Sequence, residues 1–241
     1  MPKKVVNLPQ IANPTIEAVL KQFIKDTAAA KGISKADKKG ATELFMNCMN
    51  GYAHQSLSRD EEKFFDRYYN LEGKDHKEFC QLFGPDKITV NIGEFVGYFL
   101  IRKVMMPGDQ MAEAATVVAE LCKWLVEKNI VSAESAQDAI AKAERAAYQL
   151  PRAEDANRII WELAQKCPQD AQEYVDLEYM TVKRIEEDSI WLEGDDGQEI
   201  GPVAVPKKAA KLLLPDWKVC CALAKSRGKW YFAEVGNVYP D

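Results

Sequence analysis

Cys48, His54, His76 and Cys80 are the residues whose types come closest to a metal site, and the chain has no other histidine. The run HKEFC predicts His76 and Cys80 one helical turn apart on one face, a spacing that two ligands of a zinc ion can use. Six residues separate Cys48 from His54, which a continuous helix turns to different faces, and the four together match no zinc-ligand pattern. The expectation is two buried thiols, two surface imidazoles and no metal. Nucleophilic catalysis needs a Cys or Ser positioned by a His. Both histidines fall in the part of the chain that reads as helical, and no Gly-x-Ser-x-Gly, phosphate-loop or dinucleotide fingerprint is present. The acid-rich RDEEKFFDR (59 to 67) reads as a solvated helix face. Binding is therefore expected rather than chemistry, with no catalytic residue and no cofactor; a carboxylate-only enzyme is the residual alternative.

The elements that must position any binding surface are set by composition and period. The 241 residues are 47% hydrophobic and 29% charged, room for one large or two modest domains. The longest apolar stretch, FVGYFLI (95 to 101), falls far short of the roughly 20 residues of a membrane helix. The opening MPKKVVNLPQ has two valines where an export signal needs a longer apolar run. Cys48, Cys80, Cys122, Cys167, Cys220 and Cys221 form no C-x-x-C, so free thiols and a cytoplasmic location are expected. A net charge of -5 gives no whole-chain nucleic-acid signature.

Residues 10 to 170 read as about eight helices. Asn13 is the expected cap of the first, with Pro14 in its first turn and Gly32 as its stop. KGISKADKKG (31 to 40) is expected to be a loop, ATELFMNCMNGYAHQSL a helix, and Ser58 with Glu61 a capping box. A short helix is expected around KDHKEFCQLF. Two longer ones come next, over TVNIGEFVGYFLIRKVMM and QMAEAATVVAELCKWLVEKN, then one after Ser132 that Pro151 interrupts.

After Pro168 the period falls to two in YMTVKRI, SIWLE, EIGPVAV, WKVCCALAK and KWYFAEV, with a hairpin turn at GDDG (194 to 197) and another at Arg227-Gly228. PKKAAKLLLPD supplies a short helix between the third and fourth runs. The predicted fold is α+β with two domains: an all-α helical bundle over residues 1–173 and a small five-stranded barrel over 174–241. The barrel segment resembles an oligonucleotide/oligosaccharide-binding (OB) fold.

Within it, residues 185 to 200 hold seven acids and no base, whereas 205 to 230 hold seven bases against Asp216 alone. Strict alternation turns Trp217, Val219, Cys221 and Leu223 inward, with Ile190 and Leu192, and turns Tyr231, Ala233 and Val235 inward on the last strand. Trp191, Trp230 and Phe232 are then predicted outside. Flanked by Lys207, Lys208, Lys211, Lys225, Arg227 and Lys229, these rings form the candidate nucleic-acid surface, because any base offers a π-face while cations track the phosphates. The alternative is a protein-interaction or scaffold role, in which the same rings pack on the helical domain or on a partner chain. Oligomeric state is not legible.

Residues 88 to 139, ITVNIGEFVGYFLIRKVMMPGDQMAEAATVVAELCKWLVEKNIVSAESAQDA, resemble the helical core-binding domain of tyrosine recombinases. LCKWLVEKN stands where that family ends a helix with an FLxWL-type run. The resemblance implies a helical unit that clasps DNA in that family. The family's catalytic arginine, lysine, histidine and tyrosine constellation has no counterpart, and the matching helix carries Asp109, Glu113, Glu120 and Glu127 against Lys123 and Lys128.

Overall fold

The computed structural model describes residues 9–28 and 32–240. The opening run at 1–8 and residues 29–31, where the first helix was expected to end, lie outside the described residues. Helices over residues 16 to 164 precede a closed five-stranded mixed β-barrel, an α+β layout. Contacts divide the chain into two compact units, 1–99 with 113–144 and 100–112 with 145–241.

In the first unit, α1 (Ile16–Asp26) is capped by Thr15, whose Oγ1 accepts from the Ala18 N–H, rather than by Asn13. It buries Ile16, Val19, Leu20 and Phe23. α2 (Lys35–Tyr52) begins inside the segment expected to be a loop. Ser34 supplies its cap through the Asp37 N–H at 3.2 Å, and Lys38 is buried, paired with Glu120 at 2.7 Å. Removing Glu120 would leave the buried Lys38 ammonium without its carboxylate, a destabilising change. α3 (Arg59–Tyr69) has the predicted capping box, Glu61 accepting from the Ser58 N–H at 2.9 Å. α4 (Phe79–Leu82), α5 (Asp86–Val90) and α6 (Ile92–Glu94) lead into a π-helical turn, Phe95–Phe99. The single helix expected over 89–106 is thus broken. Asn91 Nδ2 donates to the Lys87 carbonyl at 2.8 Å, competing with the helical ladder, and Gly93 and Gly97 weaken the next turns.

The second unit contains α7 (Leu100–Arg102) and the start of α8 (Gly108–Glu127). It also holds the later part of α9 (Ala133–Ala164), which continues through Pro151 instead of stopping there. Ala153, Ala156, Ile160 and Ala164 lie in the same hydrophobic core as the barrel side chains, and that burial holds the helix beyond the proline. Gly108 permits the approach of α8: a Cβ there would stand 2.8 Å from the Pro151 Cα.

The barrel runs β1 (Glu173–Ile185), β2 (Ser189–Glu193), β3 (Glu199–Ala204), α10 (Lys207–Leu212), β4 (Lys218–Ser226) and β5 (Lys229–Tyr239). Its spatial order is β1-β2-β3-β5-β4, with β3 and β5 parallel and the other pairs antiparallel, an OB-like arrangement. β1 pairs with β4 over Glu173 to Thr181 and with β2 over Thr181 to Ile185, and a register shift in each half lets it bend around both. Arg227 and Gly228 both have positive φ, which matches the right-handed twist of the β4–β5 hairpin.

Trp217, Val219, Cys221, Leu223, Ile190 and Leu192 fill the interior, as alternation predicts. On β5 alternation fails. Leu223 pairs with Phe232, Cys221 with Val235 and Val219 with Val238, and register shifts lie between these pairs. Each shift adds a residue to β5, so the inward set recurs every third position, and Phe232 belongs to the core rather than to the surface.

Candidate nucleic-acid interface

The nine predicted site residues are not brought together as one surface. Phe232 is inside the barrel, as described. Trp230, two residues before it with no register shift between them, shares its face; it packs partly against the core, with the Lys225 ammonium 5.2 Å from its ring. Neither ring is the outward platform that strict alternation predicts. Trp191 does point outward from β2 and is half-buried. The Arg184 guanidinium lies 3.7 Å from its ring centre, and Gly201 makes room for the indole, since a Cβ there would stand 2.6 Å from Cδ1.

Three of the six bases are already matched by acids. Lys207 pairs with Glu187, Lys225 with Glu173 at 3.1 Å and Arg227 with Asp170 at 3.2 Å. Ser226 and Arg227 both donate to Asp170, holding its carboxyl below the ordinary carboxylate range. Lys208 and Lys211 stand exposed on α10, and Lys229 opens β5. None of these three has an ion pair among the described residues.

A different aromatic surface is present. With Val219, Cys221 and Leu223 inside, alternation turns Cys220, Ala222 and Ala224 to the other side of β4, where Ala224 is nonetheless buried. Cross-strand partners share a face. Tyr174 of β1 and Tyr231 of β5 flank Ala224, Tyr179 lies beside Cys220, and Tyr239 lies beside Lys218. Four tyrosines therefore occupy the outward side of β1, β4 and β5, with Tyr174 65% and Tyr179 38% exposed. Lys229, opposite Ser226, stands at one end of this side and Lys218 at the other. The span is about 26 Å at ~3.3 Å per residue. Glu234, opposite Ala222, is the acid that the register places among them.

At the Lys218 end, Arg102 of α7 donates from Nη1 to the Tyr179 hydroxyl. The Tyr179 and Tyr239 rings meet edge to face, 5.6 Å between centres, and Asn237 Nδ2 donates to the Tyr239 hydroxyl at 3.4 Å. Burial raises the Tyr239 phenol above its ordinary value.

The metal-capable residues are engaged elsewhere. His76 precedes α4 instead of sharing a helix face with Cys80. Its Nδ1 lies 2.7 Å from the Tyr69 carbonyl and its Nε2 3.1 Å from Glu78, whose hydrogen bond raises its pKa. His54 stacks on Phe65. Burial pushes the Cys48 thiol up to about 12 and the Cys80 thiol still higher, and all six cysteines are free. Among the described residues no group of three or more His, Cys, Asp or Glu is placed to hold a metal ion, and no helix is long and apolar enough to cross a membrane.

Sequence reasoning missed the tyrosines and both arginines. Tyr179 and Tyr239 become neighbours only through the pairing of β1, β4 and β5, and Arg102 arrives from 77 residues before Tyr179. Arg184 falls one residue outside the acidic window, and its place on Trp191 depends on the β1–β2 register. Compared with known proteins, the chain matches no family model and no curated protein.

Proposed function

We propose that this chain is a non-catalytic binding protein whose barrel takes single-stranded nucleic acid on the outward side of β1, β4 and β5. The observation that carries the reading is the set of four tyrosines, Tyr174 and Tyr179 on β1 and Tyr231 and Tyr239 on β5, on either side of β4 with a lysine at each end. Tyrosine faces stack on any base, and cations at the ends of the run track the phosphate chain. The acid-rich loops around Glu186, Glu187, Asp188, Asp195 and Asp196 join β1 to β2 and β2 to β3, and the second reaches β1, where the Asp195 N–H donates to Glu178 Oε2 at 3.4 Å. Trp191, on β2, drops out of the proposed surface, while Lys229 remains in it.

Leu177, 47% exposed on β1 beside the tyrosines, favours a second reading in which the same side takes a protein partner. One titration separates the two: fluorescence anisotropy of a labelled oligothymidylate at low and moderate salt. Nucleic-acid binding predicts a complex whose log K falls with log salt by about 0.7 per phosphate neutralised, roughly 1.4 in all for Lys218 and Lys229. No complex at low salt removes the nucleic-acid reading and leaves the protein one.

A further inference from the structure

We infer that Glu154, Asn157 and Asn237 form a proton-operated switch where α9 packs on the end of β5. In its acid form the neutral Glu154 carboxyl donates to Asn157 Oδ1; ionised, it takes the Asn237 amide from the Tyr239 hydroxyl. The switch goes beyond the proposed function and rests on it only for the consequence at the tyrosine face.

Three observations meet in one cavity of about 20 Å³, lined by Glu154 and Asn157 of α9 and by Asn237 and Val238 of β5. The first is an orphan acceptor. Asn157 Oδ1 is buried and receives no hydrogen bond among the described residues, a cost that buried carbonyl oxygens rarely bear. Glu154 stands three residues before it on the same face of α9, and among the lining residues it is the side chain with a proton to gain or lose. A neutral carboxyl supplies the missing donor, whereas a carboxylate would set two acceptors against each other.

The second observation is the electrostatic setting. Arg158, the cation near Glu154, is committed to Asp155 at 2.9 Å, and burial and Asp155 both favour the neutral acid. Ile101 of α7, Met111 of α8 and Val238 of β5 bring no charge to the other walls. Next to them in sequence, Arg102 is bonded to Tyr179, Tyr239 meets the Tyr179 ring, and Asp109 is exposed. The first turn of α8 favours the ionised form and opposes burial: a Cβ on Gly108 would stand 3.3 Å from the Glu154 Cβ. The third observation is the Asn237 amide, whose bond to the Tyr239 hydroxyl is long at 3.4 Å. A carboxylate across a cavity about one water wide is the stronger acceptor and competes for it.

The test follows side-chain resonances of the whole chain. The Glu154 carboxyl carbon should titrate above the ordinary 4.5, and the Asn157 and Asn237 side-chain amides should shift with the same midpoint. In Glu154→Gln, whose amide donates at every pH, both amides should stay flat through that range. Oligothymidylate at constant ionic strength should bind about twofold more weakly above the midpoint than below it, as Tyr239 loses one neutral hydrogen bond, and Glu154→Gln should remove the difference. A Glu154 midpoint at or below 4.5, or an Asn157 or Asn237 amide that ignores the titration, overturns the switch. An affinity whose pH dependence persists in Glu154→Gln contradicts its link to the tyrosine face. If no oligonucleotide complex forms at any pH, the nucleic-acid reading falls and the resonances alone decide the switch.

Discussion

Phe232 sits opposite Leu223 across the β4–β5 ladder, and both are closed inside the barrel, 2% and 0% exposed. Phe232→Ala should lower the unfolding free energy by about 3 to 5 kcal/mol, as loss of a buried aromatic does, without weakening oligonucleotide binding by the molecules that remain folded. Urea unfolding monitored by circular dichroism checks the first half and anisotropy the second. Trp230→Ala should also lose stability, because Trp230 packs against the same core. A binding defect in that variant at unchanged melting temperature would contradict this placement.

Arg152 secures the end of α10. Its Nη2 donates to the Lys211 carbonyl at 3.0 Å and to the Leu212 carbonyl at 3.1 Å, placing a cation where the helix dipole is negative. Its buried Nε has no partner, which offsets part of the gain. Arg152→Met should lower stability by about 1 to 3 kcal/mol, and Arg152→Lys should restore little, because an ammonium lacks the planar fork. Thermal unfolding of the three proteins measures both effects.

Glu154 gives stability a pH dependence. Burial beside Ile101, Met111, Leu150 and Val238 raises its carboxyl above the ordinary value, Asp155 adds to the rise, and Arg158 opposes it. For an acid whose pKa is higher folded than unfolded, the native state holds the extra proton between the two values, so stability falls as pH rises through that window. The contribution is complete below the ordinary value of 4.5 and is lost above the raised one. Glu154→Gln should therefore match wild type in acid and exceed it near neutral pH. Parallel melting curves across that range test this; identical pH profiles would contradict it.

Much of the architecture was legible because period and punctuation agree locally. The capping box of Ser58 and Glu61, the period change after Pro168 and the turn at Arg227-Gly228 each depend on residues within a few positions of one another. The expectations that failed needed distant partners. Lys38 is buried against Glu120, 82 residues on, and Pro151 leaves α9 intact because the next turns enter the barrel core. Phe232 changed sides because of one register shift, between the Ala222–Glu234 and Leu223–Phe232 pairs, that depends on how β4 pairs with β5. The site was less legible than the fold for the same reason: four tyrosines from two strands share a face only after β4 is set between them.

The central claim is where the strand lies, and photo-cross-linking reads that directly. A single-stranded oligonucleotide carrying 4-thiothymidine, irradiated in complex with the intact protein and mapped by peptide mass spectrometry, should attach to Tyr174 or Tyr179 of β1 and to Tyr231 or Tyr239 of β5. The attachment should diminish in Tyr174→Ala and Tyr231→Ala. Cross-links confined to Trp191 and its neighbours on β2 and β3, unchanged in those variants, would contradict the account.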